Sequence, residues 1–410
     1  MSTLKVNKLR DTAGSADAIT LDPNGGAVLA GVTTVTSVKV GTAVTISESG
    51  IEASGIGITC ANINGTQIGG RRNIVINGAM LVAQRGTSST TNGYGSVDRF
   101  RVVSSGTDEA PTHAQADVTS GTTPFTLGFR KSFKITNGNQ TSGAGAADFI
   151  KIQTRLEAQD IANSGWNYVS SSSNITLSFW VKSSVAQNFY GYLETHDSPA
   201  YLYPFETGSL SADTWTKVTK TIAGNSNLVF NNDTGEGLRI EIHPFMGTDS
   251  TDSGVSLNTW AAYGAGTRTP DQTSTWYTTN DATFEITGVQ LEVGSEATPF
   301  EHRSKGEETQ LCKRYYYEMT TSNSGYSKLI MHQNGYFQHP QQRHPVEMRA
   351  APSITFSSVA RRALNGSSNT SETITNTAIG EFAWTSYLTN TSNTFMTFLY
   401  DMPLKFDSEL

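Results

Sequence analysis

The sequence predicts an all-β protein, and three observations carry that expectation. First, hydrophobic residues make up 36% and charged residues only 16% of 410 residues, and Ser, Thr, Asn and Gly fill the difference. Disorder pairs low hydrophobicity with high charge, and here both are low. Second, apolar residues alternate with polar ones over short runs, the period of a half-buried strand. Third, clusters of Gly, Asn, Asp and Ser separate those runs, as turns require. The elements fall into four regions. Residues 1–70 read as a β-structured stalk, 71–303 as a jelly-roll β-sandwich, 304–320 as a short connecting helix, and 321–410 as a C-terminal β domain.

The stalk rests on β-branched runs cut by glycine. Leu4, Val6 and Leu9 open a short amphipathic stretch, and Asp22 to Gly26 (DPNGG) is a turn. Val32, Val35, Val38 and Val40, then Val44 and Ile46, Ile51, and Ile56 and Ile58 form runs too short to bury both faces in one chain. Isolated hairpins of this kind are marginal in water. They bury their apolar side by stacking or by meeting copies of themselves, most simply in a homotrimer.

The sandwich rests on strand alternation. In ITLSFWVKS, Leu177, Phe179 and Val181 share one face, opposite Thr176, Ser178, Trp180 and Lys182. GLRIEIHPF repeats the pattern with Leu238, Ile240 and Ile242; WTKVTKTI does so with Val218 and Ile222 after Trp215. ATFEITGVQLEVG supplies Phe284, Ile286, Val289, Leu291 and Val293, with Gly288 as a bulge. IQTRLEAQDIANSG, Ile152 to Gly165, reads as the one short helix of this region, with Leu156 and Ile161 on its apolar side. Strands at this spacing predict two sheets. Asn73 is expected to start the first strand, Asn77-Gly78 to turn, and Asp98 and Arg99 to pair structurally beside Phe100, Val102 and Val103.

Ser304 and Glu307 stand at capping-box spacing, so a helix begins there, with Leu311 and Tyr315 one turn apart. The consecutive tyrosines of CKRYYYEM point in different directions on a helix; a three-chain bundle would bury them. Beyond it, ITFSSV and TFLYDMPLKF alternate as strands.

Several function classes are excluded. The net charge is -7 and the basic residues are scattered, so nucleic acid is not an expected partner. Two cysteines, Cys60 and Cys312, form neither a disulfide framework nor a zinc spacing and read as apolar fillers. The N-terminus MSTLKVNKLRDTAG lacks the apolar core of a secretion signal, and no stretch is long and apolar enough to insert in a membrane. The expected site of synthesis is a cytoplasm, with release by a route such as lysis.

RNIVINGAMLVAQRG followed by YGSVDRF resembles the opening of a module found in tail fibres of phages, especially those of marine bacteria and cyanobacteria. LSFWVKSS, WTKVTKTI, ITGVQLEVGSEATPFEHRSKGEETQLCKRYYYE and HPVEMRAAPSITFSS are similar to its later segments, in the same order, so the likeness spans roughly 71–358. The resemblance implies a jelly-roll fold like that of carbohydrate-binding modules. It also implies a homotrimeric fibre in the virion, attached through its N-terminus to adaptor or nozzle proteins of the tail, with a distal receptor-binding part; that part is expected to be the C-terminal β domain, 321–410, as the tip that contacts a host-surface glycan. Fold alone does not settle function. A tailspike depolymerase and a purely structural tail component remain alternatives.

A glycosidase needs two carboxylates across the scissile bond, one with a raised pKa. Glu194, Asp197, Glu206, Asp249 and Asp252 are available, but no spacing pairs them. Glu194 and Asp197 border a stretch that also holds His196, Tyr201 and Tyr203. No catalytic role, and so no enzyme, is expected. His332, His339 and His344 fit no zinc pattern, and GTDSTDSG, Gly247 to Gly254, lacks an EF-hand ligand set and reads as an Asx-turn loop. No metal and no cofactor is expected. Sugars bind flat rings flanked by amides and carboxylates. The expected receptor-binding residues are therefore Trp260, Tyr263, Trp276 and Tyr277 in polar loops, and Trp384, Tyr387 and Tyr400 with Asn390 in the C-terminal region.

Overall fold

A computed structural model gives the fold. It describes residues 72–319, 343–355, 379–383 and 404–410 in full and, elsewhere, only the backbone of short strands. The chain forms two compact units, Met1–Ala61 and Asn62–Leu410.

In the first unit, β1 (Lys8–Arg10), β2 (Asp17–Leu21) and β3 (Ala27–Leu29) form one three-stranded antiparallel sheet. A second joins β4 (Ser37–Val40), β5 (Val44–Ser47) and β6 (Gly50–Ala53). The expected strands through Val38, Val40, Val44, Ile46 and Ile51 are thus in place; Leu4, Val6, the turn at Asp22 to Gly26, Val32, Val35, Ile56, Ile58 and Cys60 lie outside the described residues.

The second unit is built on an antiparallel β-sandwich. Its strands are β7 (Ser88–Ser89), β8 (Arg101–Ser105), β9 (Thr112–Asp117), β10 (Lys131–Thr136), β11 (Phe149–Glu157), β12 (Asn174–Ser183), β13 (Asn188–Thr195), β14 (Tyr201–Ser209), β15 (Thr216–Ala223), β16 (Glu236–Met246), β17 (Ala261–Ala262) and β18 (Thr283–Val293). One six-stranded sheet runs β15-β12-β18-β10-β9-β7 and the other β17-β14-β13-β16-β11-β8. The alternation seen in the sequence decides what lies between them. Leu177, Phe179 and Val181 from β12, Phe284, Ile286 and Leu291 from β18, and Leu238, Ile240 and Ile242 from β16 form one buried core. Gly288 has φ +64° beside a register shift between β12 and β18, and a Cβ there would meet the Phe129 ring at 2.6 Å. The bulge therefore requires glycine.

Four expectations are corrected. Residues 72–87 are irregular, so Asn73 does not start a strand. Instead its side chain donates to the Val289 carbonyl and accepts from the Val75 and Leu291 amides, clipping this segment to β18. The turn at Asn77-Gly78 does form, with Asn77 at φ 60°. Asp98 and Arg99 do not pair with each other. Asp98 accepts from the Gln84 backbone and side-chain amides, while Arg99, at φ 68°, turns the other way to Glu409 and the Arg155 carbonyl. The helix within Ile152 to Gly165 is shorter than expected, because Ile152 to Glu157 belong to a strand. Ile150, Ile152 and Leu156 keep the period of two through Glu157, and only α2 (Ala158–Ala162) is helical; α1 (Thr123–Thr126) and α3 (Thr275–Thr278) are equally short.

The fourth correction concerns the tyrosines. The connecting helix α4 (Lys305–Lys313) is capped as expected, with the Ser304 hydroxyl accepting from the Glu307 amide at 3.1 Å. It ends before Tyr315, and the chain enters β19 (Tyr316–Met319). Tyr315, Tyr316 and Tyr317 are all buried within this one chain, so they do not require a three-chain bundle. Tyr315 donates to Glu157 and lies under the Arg99 guanidinium at 3.4 Å, and Cys312 is buried nearby.

Past β19 the strands are β20 (Met331–Gln333), β21 (Tyr336–Gln338), β22 (Gln342–Arg343), β23 (Ser353–Thr355), β24 (Val359–Ala363), β25 (Ser368–Glu372), β26 (Asn376–Ile379), β27 (Ala383–Thr389), β28 (Met396–Leu399) and β29 (Leu404–Asp407). β21, β22 and β26 pair with β27, and β24 pairs with β25 and β28. β29 lies between β19 and β23, with Met319 opposite Leu404. Tyr317, Met348, Leu404 and Phe406 make a small second core. Below it, Arg85 and Arg99 reach Glu409, and Ser408 donates to the Arg314 carbonyl.

Candidate functional site

The outward face of the β17-β14-β13-β16-β11-β8 sheet is the part of the fold with the most unusual chemistry. Side chains that alternate with the core residues must point away from it. On β11 these are Lys151, Gln153 and Arg155; on β16, Arg239, Glu241 and His243; on β13, Tyr190, Tyr192 and Glu194. The register aligns them in rows. Arg155 faces Arg239, which faces Glu194; Gln153 faces Glu241, which faces Tyr192; His243 faces Tyr190.

An outward face normally meets water, yet Glu241, His243, Tyr192 and Gln153 are buried. The loop after β16 covers part of the face. Thr269 approaches His243 Nε2 at 3.5 Å, and Arg268 donates to Tyr263 at 2.9 Å and to Ser250 at 2.7 Å. Glu241 accepts from Gln153 and has Lys151 Nζ at 3.5 Å. Arg239 bonds Glu236 at 2.8 Å and Glu194 at 3.1 Å, and His196 lies 3.3 Å from Glu236.

Burial sets the protonation of this cluster. It holds His243 well below the ordinary histidine range, helped by Lys151 and Arg268, so the imidazole is neutral. Burial and then the neighbouring Glu241 carboxylate push Tyr192 well up, so its hydroxyl keeps its proton. Burial alone would raise Glu194, but His196 at 3.5 Å and the Arg239 charge outweigh it and hold the carboxyl below its usual range. Several buried polar atoms are left over. Gln153 Oε1 and His243 Nδ1 make no hydrogen bond, and Glu241 Oε1 has none of good geometry despite its charged neighbour. Glu241 Oε1 lies 3.8 Å from His243 Nδ1 and 3.5 Å from Lys151 Nζ, so these buried atoms face one another beneath the polar surface that Arg155, Arg239 and Glu194 present.

The residues expected to bind receptor separate into three groups. Tyr263 is 41% exposed and joins the face through Arg268. Trp260 is half-buried against the core, its indole N–H donating to the Ala223 carbonyl at 2.9 Å. Trp276 and Tyr277 are fully buried, which corrects their assignment to a receptor surface. The short α3 turns both rings inward, where the Trp276 indole donates to the Thr283 carbonyl and Tyr277 packs on Phe245. Trp384 and Tyr387 contribute backbone to β27, and their side chains, with Asn390 and Tyr400, lie outside the described residues.

Other candidates take structural places. Asp197 accepts from Asn231 and Glu206 from Asn188. Asp252 closes an Asx turn on the Gly254 amide, as read from GTDSTDSG. His344 is held between the Tyr317 hydroxyl and the Gly380 carbonyl; the side chains of His332 and His339 are outside the described residues. Among the described residues no His, Cys, Asp and Glu cluster could hold a metal, and no helix is long and apolar enough to cross a membrane. The outer-face residues were visible in the sequence. GLRIEIHPF sets Arg239, Glu241 and His243 opposite its apolar set, but the helical reading of Ile152 to Gly165 hid the strand that completes the face.

No family model and no curated protein matches the sequence. Solved structures with a distant likeness include the enzymatically active domain of tailspike protein 4 of bacteriophage CBA120, at 9% identity and TM-score 0.28, covering 54% of this chain and 21% of that one. The N-terminal cellulose-binding domain of β-1,4-glucanase C from Cellulomonas fimi matches at 11% identity and TM-score 0.25, covering 53% of this chain and 99% of that one. The family 11 carbohydrate-binding module from Clostridium thermocellum, solved with a β-1,3-1,4-mixed-linked tetrasaccharide, matches at 9% identity and TM-score 0.24, over 53% and 98% of the two chains. At these scores the likeness stops at general β architecture.

Proposed function

We propose that this chain is the receptor-binding subunit of a phage tail fibre, and that its sandwich binds a host-surface glycan on the outward face of β14-β13-β16-β11-β8. The observation that carries the reading is the row of polar and charged side chains on that face, Arg155, Arg239 and Glu194 beside Gln153, Glu241 and Tyr192, with the exposed Tyr263 at its margin. Charged and amide side chains can take sugar hydroxyls, and the exposed Tyr263 ring offers a stacking surface. The ordered resemblance of residues 71–358 to a tail-fibre module supports the biological setting. In that setting the first seventy residues are the stalk and the attachment to the virion tail, and three chains form the fibre. Weak contacts then gain strength through multivalency.

Binding without cleavage fits the electrostatics better than a depolymerase. A general acid needs a raised pKa, whereas Glu194 is held low by His196 and Arg239. The test is direct. Purified protein is applied to a panel of bacterial surface polysaccharides and to host cells ahead of the phage. The parent binds a glycan and blocks adsorption; Tyr263→Ala with Arg268→Ala loses both while its melting temperature changes little. A double variant that binds as well as the parent refutes the site, and reducing-sugar release refutes the non-enzymatic reading.

A further inference from the structure

Resting on the reading of this face as a glycan site, we infer that the glycan is acidic, and that one of its carboxylate or sulfate groups sits on Arg101, Arg155 and Arg239. Arg155 and Arg239 are directly opposed across β11 and β16, and Arg101 lies on the next strand, opposite Gln153 and one step from Arg155. Like charges directly opposed in a sheet are destabilising. The compensation nearby is incomplete. Glu236 serves both Arg155, at 3.3 Å, and Arg239, at 2.8 Å, and Glu194 serves Arg239 while also facing His196 at 3.5 Å. Arg101 has no carboxylate partner among the described residues. The Nε atoms of Arg101 and Arg155 are buried without a hydrogen bond.

Three guanidiniums on adjacent strands, served by two carboxylates, leave room for an anion. This is not a general basic surface, because the chain as a whole carries -7. The planar guanidinium fork matches the paired oxygens of a carboxylate or a sulfate, and two arginines offer more donors than one such group can satisfy. Burial first, then Arg239 and Arg101 alongside, hold Arg155 below its ordinary value despite Glu236, whereas Arg239, closer to Glu236 and Glu194, is held above its own; the shortfall of counter-charge lies toward Arg155 and Arg101. A bound anion supplies what is missing.

The test measures binding of the full chain to polygalacturonate, dextran sulfate and neutral dextran, with polyglutamate as an acidic polymer that is not a glycan. Expected is binding to one or both acidic glycans, well above neutral dextran and polyglutamate, and the preference between carboxylate and sulfate names the source of the anion. Arg155→Gln, folded by thermal melting, lowers acidic-glycan affinity by about tenfold to a hundredfold, the range for loss of a charged hydrogen bond. Neutral dextran bound as tightly as the acidic glycans overturns the inference and leaves the glycan site standing. So does an unchanged affinity in Arg155→Gln, or equal binding to polyglutamate. No binding to any glycan overturns the site reading itself.

Discussion

Replacing Glu409 by alanine tests whether residues 404–410 are an integral part of the sandwich's base. Arg99 is 1% exposed, and its guanidinium meets the Glu409 carboxylate, the Arg155 carbonyl and the Tyr315 ring. The Glu409 side chain is only 6% exposed and also serves Arg85 at 3.3 Å. Removing one partner of a buried ion pair strands the other charge and costs about 3–5 kcal/mol. Asp117→Ala is the control. Its partner Lys131 lies at 2.6 Å, but the Asp117 side chain is 83% exposed, so the loss should be within about 1 kcal/mol. Urea unfolding followed by tryptophan fluorescence gives both values. The double variant Arg99→Met with Glu409→Leu should recover much of the loss, because it removes the charges together. A Glu409→Ala protein as stable as Asp117→Ala would refute the reasoning.

The remaining predictions follow from particular contacts. Gly288→Ala places a methyl group against the Phe129 ring at a positive φ and should destabilise by about 1–3 kcal/mol, read from the shift in urea midpoint. Tyr277→Phe loses hydrogen bonds to the Gly106 carbonyl and Asp148 and should cost about 1 kcal/mol, with glycan binding unchanged. His243 concerns pH. Its folded value lies well below the ordinary 6.5, so below that pH the unfolded chain takes up a proton that the folded chain refuses. Stability is retained above 6.5 and lost as pH falls, at up to about 1.4 kcal/mol per pH unit for this one group. Comparing the pH dependence of stability in the parent and in His243→Gln should show that difference; identical slopes would refute it.

Much of the sandwich was legible because its strands state their faces. Leu177, Phe179 and Val181, or Leu238, Ile240 and Ile242, name the core by alternation alone. The readings that failed did so where two signals competed or where partners are distant in sequence. Ile152 to Glu157 precedes a true short helix and carries helix formers of its own, but tertiary pairing with β8 and β16 makes it strand. Asp98 and Arg99 are neighbours, so a local pair looked natural, yet Arg99 finds its partner more than three hundred residues away. The candidate site was half visible. Aromatic residues in polar loops were a poor guide, since Trp276 and Tyr277 are core, whereas the polar half of each alternating strand was the better signal.

The position of β29 has a consequence for how such chains can vary. Thr355, at the end of β23, stands opposite Lys405 near the start of β29, so the stretch from residue 356 to 403 departs from and returns to adjacent points of one sheet. The entropy of closing such an excursion grows only logarithmically, about 0.6 kcal/mol for each doubling of its length. The sandwich therefore barely registers how long that stretch is or what it encodes. An exchange of this segment between related chains would leave the base, its arginines and its buried tyrosines as they are, so the fold contains its own splice point.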